Sequence, residues 1–226
     1  MNEYTVMNIL DLIDSVGENE VQRGLSDFLC PQNGEIENFI RNNAIEFAKR
    51  KLFITYLLLD NADGAITGYF TLTHKAIEIK NDNISNTTRR KLSAHARLDE
   101  DTNSFTASAF LLAQIGKNYG VDNGRRITGD ILIKYANDVM ADIQRRIGGG
   151  IVYLDCEDKQ QLKAFYIDKN HYKIFGERYS VSDDIRYLQM IRFFKSDFYS
   201  SNKVIGNFKL LELRLSTLES HAPISY

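Results

Sequence analysis

Residues 110–175 constrain the chain more than any other stretch. They read FLLAQIGKNYGVDNGRRITGDILIKYANDVMADIQRRIGGGIVYLDCEDKQQLKAFYIDKNHYKIF. The long apolar run Phe105–Lys117 predicts a central strand. After a turn, Ile127, Ile131, Leu132, Tyr135, Ala136, Val139, Met140 and Ile143 recur on one helical face. Arg145-Arg146 sit in the last turn, where the helix dipole favours cations, and Gly148-Gly149-Gly150 stop the helix. Ile151–Leu154 is a second buried strand, and Lys159–Asp168 a short helix. Strand, helix and strand at this spacing predict one parallel crossover unit.

The flanks predict more elements. Tyr4–Leu10 reads as a short strand, Asn19–Leu29 as a short helix and Glu35–Lys51 as a strong one, with Ile36, Phe39, Ile40, Ala44, Phe47 and Ala48 on its repeat. Phe53–Leu59 and Ile66–Ile79 read as a hairpin about the turn Asn61-Ala62-Asp63-Gly64. The run 80–102, KNDNISNTTRRKLSAHARLDEDT, reads as a solvated loop with one helical turn, longer than loops usually are without a task. Strands at Tyr172–Phe175 and Tyr187–Phe194 should pair. In Asn207–Glu219, Phe208, Leu211, Leu215 and Leu218 fall on a helical repeat suited to docking or an oligomer contact, so a homodimer through the C-terminal segment is one expectation. The expected class is α/β, of the mixed α+β kind: a mixed, mostly antiparallel sheet flanked by helices. Residues 1–196 form one expected domain with 80–102 as a polar insertion, and 197–226 a C-terminal helical extension.

The 226 residues, 43% of them apolar, suffice for a sizeable core. A formal charge of −2 gives no general attraction to nucleic acid or anionic membranes. No apolar run approaches the ~20 residues of a membrane span. The first residues are acidic where a signal peptide would be basic, so the expected location is the cytoplasm. Cys30 and Cys156 are the only cysteines, lack metal-pair spacing, and read as buried inert thiols. His74, His95, His171 and His221 are scattered, so no metal site is expected.

The turn at 118–129 carries Gly120 and Gly124, then Arg125-Arg126, and opens a helix near Gly129. Helix N-termini offer unpaired N–H groups and a positive dipole end, and arginines add charged donors matched to phosphate. The segment reads either as a diphosphate cradle or as an ordinary basic surface turn. It is neither a Walker loop nor the dinucleotide fingerprint.

With GGGIVYLDC and Ala164-Phe165-Tyr166 added, the segment resembles the GCN5-related N-acetyltransferases, closest to their toxin-like subgroup. Phe28-Leu29-Cys30, the helix at 36–51 and the strand Ile66–Leu72 fit as well, so the resemblance spans roughly residues 3–195. It implies acetyl-CoA as co-substrate, held by Gly124, Arg125, Arg126, Ile127, Thr128 and Gly129 and by the backbone of Leu112, Ala113, Gln114 and Ile115 on a bulged strand. The family turn leads with arginine or glutamine and has a middle glycine. Here Gly124 and Ile127 stand in those places, and a β-branched residue resists positive φ. Arg125 and Arg126 then carry the phosphate contacts.

The resemblance further implies transfer of an acetyl group to a primary amine by direct attack, with Tyr166 as general acid. A phenol of reference pKa about 10 holds its proton at neutral pH. No side chain stands out as general base; His74, Glu78 and Gln114 lie on neighbouring strands. The acceptor stays open between a small amine, a protein amine and, as in the toxin-like subgroup, an aminoacyl-tRNA. That subgroup also implies a small antitoxin protein as partner. Basic candidates for a tRNA surface are Arg89-Arg90-Lys91, Arg97, Arg125-Arg126, Arg145-Arg146 and Lys173. A competing class is an inactive binding or structural module of this fold.

Overall fold

The computed structural model describes residues 3–181 and 184–194. Its strands are β1 (Tyr4–Asn8), β2 (Ile54–Asp60), β3 (Ile66–Lys80), β4 (Leu98–Asp99), β5 (Ser104–Lys117), β6 (Ile151–Glu157), β7 (Lys173–Ser180) and β8 (Ile185–Phe193). They form one sheet in the order β1-β2-β3-β5-β6-β8-β7, with β4 on β5. The printed registers are antiparallel for β1/β2, β4/β5, β6/β8 and β7/β8, and parallel for β5/β6. The fold is thus a mixed, mostly antiparallel sheet flanked by helices, as the residue pattern predicted. The described chain forms two compact units, residues 3–69 with 115–135, and residues 70–114 with 136–194.

The first unit builds its core from β1, β2, the start of β3 and the helices between them. The strand expected at Tyr4–Leu10 ends at Asn8, whose side chain accepts the N–H of Leu10 at 2.9 Å and caps a helix, Ile9–Val16. That helix was missed because Ile9, Leu12 and Ile13 follow the strand without a break in hydrophobicity. The second helix is Glu18–Ser26. The long helix covers residues 34–49, capped by Asn33 and widened by a π turn at Phe39–Asn43. It buries Ile40, Ala44, Ile45 and Ala48 against Phe28, Leu57 and Tyr69. Close approach makes two glycines necessary. A Cβ on Gly116 would lie 2.5 Å from Ile36 Cγ2, and one on Gly68 would lie 2.8 Å from the Gly116 carbonyl oxygen.

The second unit centres on β5, β6, β7 and β8 and packs Phe105, Ile151, Tyr153, Phe175 and Ile191. The segment 80–102 is more ordered than expected. Ser85 caps a helix at Asn86–Leu92 by accepting the N–H of Thr88 at 3.2 Å. Leu92 is wholly buried with Ile79 and Phe105, and β4 pairs Leu98 with Phe105. One buried leucine and one cap therefore turn a polar run into an anchored element. The helix expected at Lys159–Asp168 occupies residues 160–169 and ends in a π turn, Ala164–Lys169. The helical repeat at Asn207–Glu219 lies outside the described residues, as does the dimer contact assigned to it.

Candidate active site

In the first unit the turn after β5 is bolted down by Asn118, which is buried. Its Oδ1 accepts the N–H groups of Leu29 at 3.0 Å and Gly120 at 2.9 Å, and its Nδ2 donates to the Ile66 carbonyl at 2.8 Å. Asp122, Asn123 and Gly124 then take φ of 48°, 52° and 68°. Asp, Asn and Gly tolerate the left-handed region best, so the sequence suits this arch. Gly124 is buried under the Tyr119 ring, and the Lys117 ammonium lies 5.3 Å from that ring's centroid.

The arginines divide. Arg125 is exposed. Arg126 is engaged, its Nε donating to Asp122 at 2.6 Å and its Nη1 to Asp63 at 2.5 Å and to Asp60 at 3.4 Å. These carboxylates raise its pKa further, hydrogen bonds to Asp122 and Asp63 first. Tyr4 donates its hydroxyl to the Arg126 carbonyl. Ile127 is 1% exposed and is not among the residues with positive φ, so the β-branched side chain meets no strain and serves the core. Thr128 caps the helix Gly129–Ile147, its Oγ1 accepting the N–H of Ile131 at 3.2 Å. Asp130 adds a negative charge in the first turn. Ile115, also in this unit, is partly buried.

In the second unit β5 and β6 are joined in parallel at two pairs only, Phe110 with Val152 and Leu111 with Tyr153. β5 runs on through Leu112, Ala113 and Gln114, and β6 through Leu154, Asp155 and Cys156, without a further rung between them. β6 keeps its register with β8 over its whole length, so the divergence is on the β5 side. Leu112 is buried, and Ala113 and Gln114 are partly buried.

Tyr166, in the wide π turn, is 7% exposed. Its ring stands edge-on to Phe165 at 5.0 Å and to Tyr172 at 5.7 Å. Its hydroxyl has no hydrogen-bond partner among the described residues. Burial first, then Tyr172 and Cys156, push its pKa well above the usual phenol value, so it holds its proton throughout the physiological range. Cys156 is buried, 4.0 Å from the Met190 sulfur, and burial with nearby carboxylates pushes its thiol up to about 11. His74 is exposed against the Phe110 ring at 4.4 Å, and Glu78 pairs with Lys80 at 2.6 Å. Sequence reasoning missed Asn118, Asp60, Asp63 and Tyr172. A buried asparagine and paired hairpin aspartates carry no periodic signal. Among the described residues no group of three histidine, cysteine or acidic side chains could hold a metal, and no helix is long and apolar enough to cross a membrane.

No family model matches the chain, and no curated protein matches it in sequence. Solved structures do. AtaT complexed with acetyl-methionyl-tRNAfMet is similar at a TM-score of 0.56 and 13% identity, over 85% of this chain and 95% of that one. A tyrosine-to-phenylalanine mutant of KacT gives 0.55 and 14%, over 83% and 95%. The crystal structure of a bacterial toxin gives 0.52 and 14%, over 89% and 91%. The fold is that of the GCN5-related N-acetyltransferase toxins. At these identities the likeness concerns the fold. Within it, the split β5/β6 pair and the glycine turn before the long helix occupy the places in the chain order where the residue pattern put them.

Proposed function

We propose that this protein is an N-acetyltransferase that moves an acetyl group from acetyl-CoA to a primary amine by direct attack. The observation that carries the reading is the two-rung β5/β6 ladder, which leaves backbone groups of Leu112–Gln114 unused by β6. Such groups suit a pantetheine amide chain and can polarise a thioester carbonyl. The turn residues fit a diphosphate in part. Exposed Arg125 and the amides at the start of the Gly129 helix offer donors, while Arg126 is held by carboxylates and Asp130 opposes an anion.

The amine nitrogen attacks the thioester carbon, the C–S bond breaks, and the departing sulfur takes the phenolic proton of Tyr166. The attacking nitrogen loses its proton to water. Burial and an unpartnered hydroxyl support Tyr166 in that role, because its proton is retained until an acceptor arrives. Solved AtaT and its antitoxin AtaR have been seen together with acetyl-CoA in one neighbour structure, which supports acetyl-CoA here and a small antitoxin as partner.

A second reading gives the acceptor as an aminoacyl-tRNA. The AtaT structure complexed with acetyl-methionyl-tRNAfMet favours it, as do exposed Arg90, Lys91 and Arg97 in the anchored segment 80–102. Titration with acetyl-CoA by calorimetry tests the enzyme reading. Absence of binding at millimolar concentration would sink it and favour an inactive module. Thiol release against an amine panel tests Tyr166. Tyr166→Phe should cut turnover by roughly 10²–10⁴-fold, and unaltered turnover removes Tyr166 from the mechanism.

A further inference from the structure

The carboxylates around Arg126 are arranged before the arginine reaches them. Asp60 accepts the N–H of Ala62 on Oδ1 at 2.8 Å and Arg126 Nη1 on Oδ2. Asp63 accepts the N–H of Ala65 on Oδ1 at 3.0 Å and the same Nη1 on Oδ2. The β2–β3 turn thus fixes two acceptors with its own amides, and little side-chain freedom remains to be lost when they take the guanidinium. The third carboxylate, Asp122, opens the left-handed arch Asp122-Asn123-Gly124, and its bond to Arg126 Nε closes that arch across its ends. Two non-glycine residues in the left-handed region cost roughly 1–2 kcal/mol each, so the arch needs a restraint. Tyr4, from β1, holds the Arg126 carbonyl at the same point.

We propose that Arg126 is a positioning residue and not a phosphate ligand: its side chain ties the arch to the β2–β3 turn and so sets where the helix beginning at Gly129 presents its first amides. The proposal rests on the acetyl-CoA reading above. A direct phosphate contact and a positioning tie predict opposite signs for one substitution. Asp63→Asn removes a negative charge and loosens the guanidinium. If Arg126 served phosphate by charge, that change would tighten acetyl-CoA. If Arg126 serves by tying the arch, the same change weakens it.

The test is calorimetric titration of the full chain with acetyl-CoA and with acetyl-pantetheine, which lacks the diphosphate. The wild type comes first. Failure to bind acetyl-CoA overturns the functional reading and this inference with it. With wild-type binding established, Asp63→Asn is expected to weaken acetyl-CoA by about threefold to tenfold, the size of a partly exposed ion pair, and to leave acetyl-pantetheine unchanged. Arg126→Lys is expected to weaken acetyl-CoA at least as much, because an ammonium cannot bridge Asp63 and Asp122 as a planar fork does. Tighter binding in Asp63→Asn, or wild-type affinity in Arg126→Lys, overturns the positioning role and leaves the enzyme reading standing. Equal weakening of both ligands, with circular dichroism reporting a damaged fold, also overturns it.

Discussion

Tyr172 stands edge-on to Tyr166, their ring centroids 5.7 Å apart, and its N–H donates to the Tyr166 carbonyl at 3.0 Å. The partnership is one of packing and backbone, since the Tyr172 hydroxyl is buried with no hydrogen-bond partner among the described residues. A buried hydroxyl without a partner costs about 1–3 kcal/mol of desolvation. Tyr172→Phe should therefore leave stability unchanged or raise it by up to about 1 kcal/mol, read as an equal or higher Tm. A clear loss of Tm would mean that the hydroxyl has a partner in solution.

Asn118 should be among the least replaceable side chains of the first unit. Asn118→Ala removes three hydrogen bonds and strands the N–H groups of Leu29 and Gly120. The expected loss is about 2–4 kcal/mol in denaturant unfolding.

Cys156 gives a pH-dependent signature. Its thiol lies at about 11 against a reference of 9.0, so at pH 8 its thiolate fraction is about a hundredfold below that of a free thiol. Iodoacetamide should label it far more slowly in the folded chain than in urea. The linkage has a definite sign. Below about pH 9 both folded and unfolded thiols hold the proton and stability is level. Between 9 and 11 the unfolded thiol ionises while the folded one does not, so stability falls as pH rises. Cys156→Ala should flatten that fall.

The glycine run after the long helix separates two kinds of constraint. Gly148 has φ +77° with open space around its missing side chain, while Gly149 has φ +102° and a Cβ there would lie 2.9 Å from the buried Phe110 ring. Gly148→Ala should cost about 1 kcal/mol from backbone strain alone. Gly149→Ala should cost distinctly more, and thermal denaturation of the pair orders them.

Much of this was legible in the residues because it is periodic. The 3.6-residue repeat of Ile131 to Ile143 and the apolar run before Lys117 predict Gly129–Ile147 and β5 to within a residue or two. What escaped has no period. The helix at Ile9–Val16 was hidden by continuous hydrophobicity, and the helix at Asn86–Leu92 by an almost wholly polar surface that one leucine anchors. Ile127 looks like a defect when the turn is aligned by residue type. The backbone takes its positive φ two residues before Arg126, at Asn123 and Gly124, so the glycine freedom is spent earlier and Ile127 is left for the core.

The π turn at Ala164–Lys169 makes the direction of Tyr166 depend on a residue count. A π turn accommodates one residue more than the α-helix around it, and each helical residue swings the side chain by about 100°. Deleting a single residue between 160 and 164 would leave Tyr166 chemically intact and turn its phenol away, bringing Ile167 round toward the same bearing. For lineages descended from such a chain, insertions and deletions in this short helix would be as decisive as replacement of the tyrosine itself.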